Sequence, residues 1–167
     1  MGTGKISVYT GTGHGKTPAA LGIALQQAAR GESVVVIQFL KGKGLEESEF
    51  CHRMEPELKI FRFEKSDYDF SSRSEEEKQD ELNNIRNGLN YARKVLCTFG
   101  CDLLVLDEVL ALVDNRIIEA GELAELLEKR GETDIIMTGI SVDPVIVEMA
   151  DEVVKLETKD RSTFISG

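Results

Sequence analysis

No tryptophan occurs in this chain of 167 residues, and aromatic side chains make up only 6% of it. An aliphatic α/β core fits that composition better than an aromatic-rich β sandwich. Cysteine is scarce as well: Cys51, Cys97 and Cys101 are an odd number, with no secretory signal ahead of them. Such usage speaks against a disulfide framework and for a reducing compartment, with the cytoplasm as the expected location. Cys97 and Cys101 stand four apart with no second Cys or His pair close in sequence, so no zinc site is expected. Long apolar runs are missing too. Stretches such as residues 34–37 fall far short of the roughly 20 residues that a membrane helix needs, and no membrane partner is expected. Basic charge is in deficit, with 20 Lys and Arg against 30 Asp and Glu and a formal charge of −10. That balance repels phosphate backbones and argues against a nucleic-acid partner. No repeat, low-complexity tract or linker divides the chain, which predicts one domain over residues 1–167, with 158–167 as a candidate mobile tail.

What is present alternates. Short β-branched runs at residues 6–9, 33–39, 59–63, 103–106, 134–138 and 152–157 read as six strands, interleaved with helical stretches. The first helix runs from about residue 16 to 30 and is closed by Gly31. Residues 41–44 read as a basic, flexible turn, and 64–73 as a polar connection. Ser74-Glu75-Glu76-Glu77 has the form of a capping box, and Leu82, Ile85, Leu89, Ala92 and Leu96 follow at helical spacing. The acidic run between Glu75 and Glu81 reads as a solvated helix start favoured by the helix dipole. A helix from about 119 to 130 stops at Gly131, and Asp143-Pro144 opens another with a capping acid and a first-turn proline. Strands alternating with helices predict a single α/β domain: a mostly parallel, doubly wound sheet with helices on both faces and ligands at the carboxyl ends of the strands.

Two motifs fall at those ends. Gly11-Thr12-Gly13-His14-Gly15-Lys16-Thr17 lies between the first strand and the first helix. Glycines there let backbone N–H groups turn inward around an anion, and the helix start adds partial positive charge. Lys16 would neutralise phosphate oxygens and Thr17 would offer its hydroxyl to Mg²⁺. The segment fits Gly-x-x-x-x-Gly-Lys-[Ser/Thr] except at its leading position, which is Thr10, and it predicts a P-loop that binds ATP with Mg²⁺. A plain strand-to-helix turn is the alternative, but a lysine at the helix start has no packing role. Thr12 and His14 matter through their amides, while their side chains are solvated or touch phosphate. The second motif is Asp107-Glu108, closing an apolar strand. Asp107 would hold Mg²⁺ directly or through water. Glu108 would act on metal-bound water, orient a nucleophile or contact substrate, or one of the two acids only caps the next turn.

Four segments in order make the chain similar to the ATP:corrinoid adenosyltransferases of bacterial cobalamin synthesis. They are residues 9–22 around the loop, Val36-Ile37-Gln38-Phe39-Leu40-Lys41-Gly42, Leu104-Val105-Leu106-Asp107-Glu108, and Ile135-Ile136-Met137-Thr138-Gly139 followed by Ala150-Asp151-Glu152-Val153. The resemblance covers roughly residues 5–157 and implies a P-loop NTPase-like (RecA-like) fold. It also implies that the Co(I) of a corrinoid co-substrate attacks the ribose C5′ of MgATP and releases tripolyphosphate. By the same resemblance the backbone of Gly11, Thr12, Gly13, His14, Gly15, Lys16 and Thr17 binds the triphosphate, with Lys16 catalytic. Glu108 matches the functional acid of the family, and Gln38 and Lys41 match residues near the nucleotide. A homodimer and a reductase for Co(II)-corrinoid are implied as partners.

The chain departs from the family pattern at His14 for Lys, Pro18 for Thr, Ile140 for Arg and Gln26 for Arg. Residues 65–70 stand where the family carries a Trp-containing corrinoid motif. Two other functions remain at this stage: a P-loop phosphotransferase or ATPase, and a nucleotide- or corrinoid-binding homologue with impaired catalysis.

Overall fold

In the computed structural model, residues 2–40, 49–63 and 73–165 are described. The predicted turn at 41–44 with Lys41, and the connection at 64–72, lie outside them. In chain order the elements are β1 (Ile6–Thr10), α1 (Lys16–Ala29), β2 (Val34–Gln38), α2 (Glu49–Arg53), β3 (Leu58–Arg62), α3 (Glu75–Cys97) and β4 (Leu103–Asp107). They continue as α4 (Val109–Asp114), α5 (Ala120–Glu128), β5 (Asp134–Thr138), α6 (Pro144–Met149), β6 (Glu152–Lys155) and α7 (Ser162–Ile165). All six expected strands form. The short helices α2, α4 and α7 are additions to the sequence reading. In the tail set apart as mobile, α7 forms and Thr158 is engaged in a hydrogen bond described below.

The strands make one sheet in the order β3-β2-β4-β5-β1-β6, and every pairing is parallel. Successive side chains of a strand point to opposite faces, so each central strand needs apolar residues at every position. Val35, Ile37, Leu104, Leu106, Ile135 and Met137 pack with α3, α4, α5 and α6 on one face. On the other, Val34, Val36, Leu103, Val105 and Ile136 pack with Ala20 and Ala24 of α1. Both faces are thereby covered by helices.

The capping box of α3 forms as the sequence predicts: Ser74 Oγ accepts from the Glu77 amide, and the Ser74 amide donates to Glu77 Oε2. Gly88, in the middle of this helix, lies against aromatic rings, since a Cβ there would stand 2.8 Å from Phe39 and 3.0 Å from Phe63. The acidic run before it divides. Glu75, Glu76 and Glu77 are exposed, but Glu81 is buried and ion-paired with Arg73 at 3.1 Å, because one turn further on the helix faces the sheet.

Hydrogen bonds from Ser74, backbone first, hold the Glu77 carboxyl below the usual carboxylate range. A depressed carboxylate stabilises the fold fully above its unfolded value, and the contribution is lost as pH falls through the folded one. Glu77→Gln is therefore expected to lower the urea midpoint at pH 7. The gap to wild type closes in acid, where the wild-type carboxyl is itself protonated; a gap independent of pH would contradict this assignment.

Candidate functional site

Strand β1 ends at Thr10, and the chain must turn sharply to enter α1. Gly11 (φ 112°) and Gly15 (φ 101°) take up conformations that side chains disfavour. Gly11 and Gly13 also lie against the backbone that leaves β6. A Cβ on Gly11 would stand 2.3 Å from the Leu156 carbonyl oxygen, and one on Gly13 would stand 2.7 Å from it. Their N–H groups donate to the Ile140 and Leu156 carbonyls, both at 2.9 Å, and the His14 amide donates to Thr158 Oγ1 at 2.8 Å. Two neighbouring segments thus hold the loop open. Thr12 and His14 expose their side chains. Lys16, the first residue of α1, donates from Nζ to the Gly13 carbonyl at 3.0 Å, which folds its charge back over the loop.

Beside the loop, the sheet register sets Gln38 level with Asp107. Both follow the residues of β2 and β4 that face α1, so they face the same way. The Asp107 carboxylate is fully buried and collects three donors. Thr17 Oγ1 at 2.8 Å and Thr138 Oγ1 at 2.7 Å meet Oδ1, and Gln38 Nε2 at 3.1 Å meets Oδ2. Buried carboxylates require such donors, because an uncompensated charge away from water is costly. The other end of the Gln38 amide, Oε1, is buried and has no hydrogen-bond partner among the described residues. Glu108 follows in a left-handed conformation, φ 63°, and its amide donates to Thr138 Oγ1 at 2.8 Å. That turn carries the chain out of β4, so that Val109, Leu110 and Leu112 of α4 reach the opposite core.

The structure therefore brings Gly11 through Thr17, Gln38, Asp107 and Glu108 to one end of the sheet. Two residues with no role in the sequence reading join them. Thr138 is the single polar end of an otherwise apolar run after Asp134, much as Asp107 ends β4, and that likeness is the signal that points to it. Thr158 gives no such signal, since its partner His14 is 144 residues away. Among the departures from the family pattern, Pro18 is the third residue of α1, where a missing N–H breaks no helical bond. Ile140 serves the loop through its carbonyl, which also accepts from Thr10 Oγ1 at 2.9 Å.

Among the described residues, no group of three or more His, Cys, Asp or Glu is placed to hold a metal ion. Mg²⁺ held by phosphates needs few protein ligands, and the adjacent Thr17 hydroxyl and Asp107 carboxylate suit that demand. Also among the described residues, no helix is long and apolar enough to cross a membrane.

A parallel sheet whose first strand opens through a glycine-rich loop into a helix, with an acid closing the strand that lies one place removed from it, defines a protein of the P-loop NTPase-like class. The KaiC-like protein PH0186 of Pyrococcus horikoshii shares this fold, with a TM-score of 0.58 at 20% identity over 94% of this chain and 73% of that one. The sequence model of the family "ATP:corrinoid adenosyltransferase BtuR/CobO/CobP" matches residues 2–163, and the chain belongs to that family. The corrinoid adenosyltransferase of Escherichia coli K12 is 29% identical over 154 residues, covering 92% of this chain and 76% of the relative. That of Salmonella typhimurium is 28% identical with the same coverage, and that of Pseudomonas aeruginosa 24% identical over 92% of this chain and 74% of its own length.

Proposed function

We propose that the chain is a transferase that joins the 5′-deoxyadenosyl group of ATP to the Co(I) of a corrinoid and releases tripolyphosphate. The observation that carries this is the extent of the family match, residues 2–163, which reaches far beyond the loop that all P-loop proteins share. In this reaction the cobalt of the co-substrate supplies the electron pair of the new Co–C5′ bond. The C5′–O bond breaks, and its electrons leave with the triphosphate. No serine, cysteine or general base is needed, so the protein contributes position, charge and exclusion of water.

The loop from Gly11 to Thr17 holds the triphosphate, with the Gly11, Gly13 and His14 amides bracing it against Ile140, Leu156 and Thr158, and Lys16 neutralises negative charge as the triphosphate leaves. Thr17 and Asp107 hold Mg²⁺, which supplies further charge neutralisation when bound. Gln38 lies beside the nucleotide and presents its buried Oε1 to a donor there, with Lys41 nearby in sequence. Glu108 is the acid that faces the reacting end of the substrate. The active form is a cytoplasmic, single-domain chain that pairs as a homodimer and receives Co(I) from a separate reductase. Family resemblance supports the dimer, the reductase and Mg²⁺, and cysteine usage supports the compartment.

The test is product identity. Incubated with MgATP and a chemically reduced corrinoid, the protein is expected to yield adenosylated corrinoid and tripolyphosphate in equal amounts. ADP or inorganic phosphate as the sole product would mean that a P–O bond breaks, and that the enzyme is a phosphotransferase or ATPase.

A further inference from the structure

We infer that Thr138 is a positioning residue that sets the two acids at the end of β4, and through Asp107 and Thr17 tunes how tightly the divalent cation accompanies ATP. A hydroxyl has one proton and two lone pairs. The Thr138 proton goes to Asp107 Oδ1 at 2.7 Å, and its oxygen accepts the Glu108 amide at 2.8 Å. One buried side chain on β5 thereby fixes the last residue of β4 and the residue that follows it.

Each bond has its own consequence. On Asp107, Thr138 shares Oδ1 with the Thr17 hydroxyl, while Gln38 Nε2 meets Oδ2. Donors on both oxygens stop the carboxylate from turning about its own bond. A carboxylate fixed in this way holds the Thr17 proton, and the Thr17 oxygen then presents lone pairs on its other side, the orientation a cation requires. On Glu108, the bond to the amide anchors a residue with a positive φ, which a non-glycine residue seldom adopts. Direction of the Glu108 side chain follows from that backbone. Partners of this kind, one bond removed from a metal ligand, commonly change metal affinity by about 10–100-fold when lost.

The inference rests on the proposed meeting of Thr17 and Asp107 with the cation, and its test separates the two. The full-length protein is titrated calorimetrically with ATP in Mg²⁺ and with ATP in EDTA, and the Mg²⁺ concentration for half-maximal adenosyl transfer is measured alongside. Thr138→Val, which keeps the shape and removes the hydroxyl, is expected to cut the preference for MgATP over metal-free ATP about tenfold. The Mg²⁺ requirement should rise by a similar factor, while affinity for metal-free ATP stays within about twofold. Thr138→Ser keeps the hydroxyl and should restore both quantities. Thr138→Ala carries the same expectation as the valine variant and keeps the test decisive should valine fail to pack.

A valine or alanine variant that retains the wild-type preference overturns the inference alone. So does a serine variant that loses as much as valine, because the methyl group would then be what matters. A wild-type protein that binds MgATP no more tightly than metal-free ATP overturns the inference together with the cation reading beneath it.

Discussion

Lys16→Ala is expected to lower kcat/KM for adenosyl transfer on the order of 10²–10³-fold, the usual effect of removing one preorganised donor from a site where charge develops. The reasoning is local. Lys16 begins α1 and its Nζ donates to the carbonyl of Gly13, an interaction within the loop itself. Alanine is the best helix former, and the Gly13 carbonyl that loses its donor belongs to the loop and to neither hydrophobic core cluster. Melting temperature should therefore be unchanged while catalysis falls. Charge on the departing triphosphate grows as the C5′–O bond breaks, so the loss belongs to kcat as well as to ATP affinity. A variant with wild-type turnover would show that the polyphosphate lies elsewhere, and the proposed site would be wrong.

Asp107→Asn should separate stability from function. The substituted side chain keeps one oxygen to accept from Thr17 and Thr138, but it sets an NH₂ group against Gln38 Nε2, donor against donor. Gln38 can resolve this by turning its amide over, since its Oε1 is now buried without a partner among the described residues and would accept from the new NH₂. The expected change in stability is no more than about 1 kcal/mol, or roughly 2–4 °C at this chain length. The negative charge proposed to hold the cation is nevertheless gone. A fall in MgATP-dependent transfer of about 100-fold is expected, with metal-free ATP still bound. Equal activity in the variant would remove Asp107 from any part in holding the cation.

Much of this architecture can be read in the residues. β2 and β4 are apolar at nearly every position because both of their faces are covered, and the capping box of α3 marks its start within a residue. The helices that escape notice, α2, α4 and α7, have only four to six residues. A helical period needs about two turns to declare itself, and in α4 the buried Val109, Leu110 and Leu112 supply only one spacing of three, between Val109 and Leu112. Strand order is invisible for a different reason. Placing β1 between β5 and β6 depends on crossovers over distant parts of the chain.

The same limit divides the site. The loop glycines, Lys16 and Asp107 announce themselves because neighbouring residues do related chemistry, and the spacing carries the message. Thr138 meets Asp107 across 31 residues, and no local pattern records that. Glu81 shows the reverse error: its acidic neighbours suggest solvent, while its burial against Arg73 depends on where the helix lies on the sheet.

The splice between the loop and the exit of β6 also bears on how the molecule is made. Gly13 and His14 lean on Leu156 and Thr158, and β1 is flanked by β5 and β6, the last strands of this sheet to be synthesised. A nascent polypeptide released only through β4 already carries every residue of the proposed phosphate loop but lacks the supports at Ile140, Leu156 and Thr158. Affinity for nucleotide should consequently switch on late in translation. Closure of such distant pairings also makes for slow folding, leaving an interval in which the growing chain is blind to ATP.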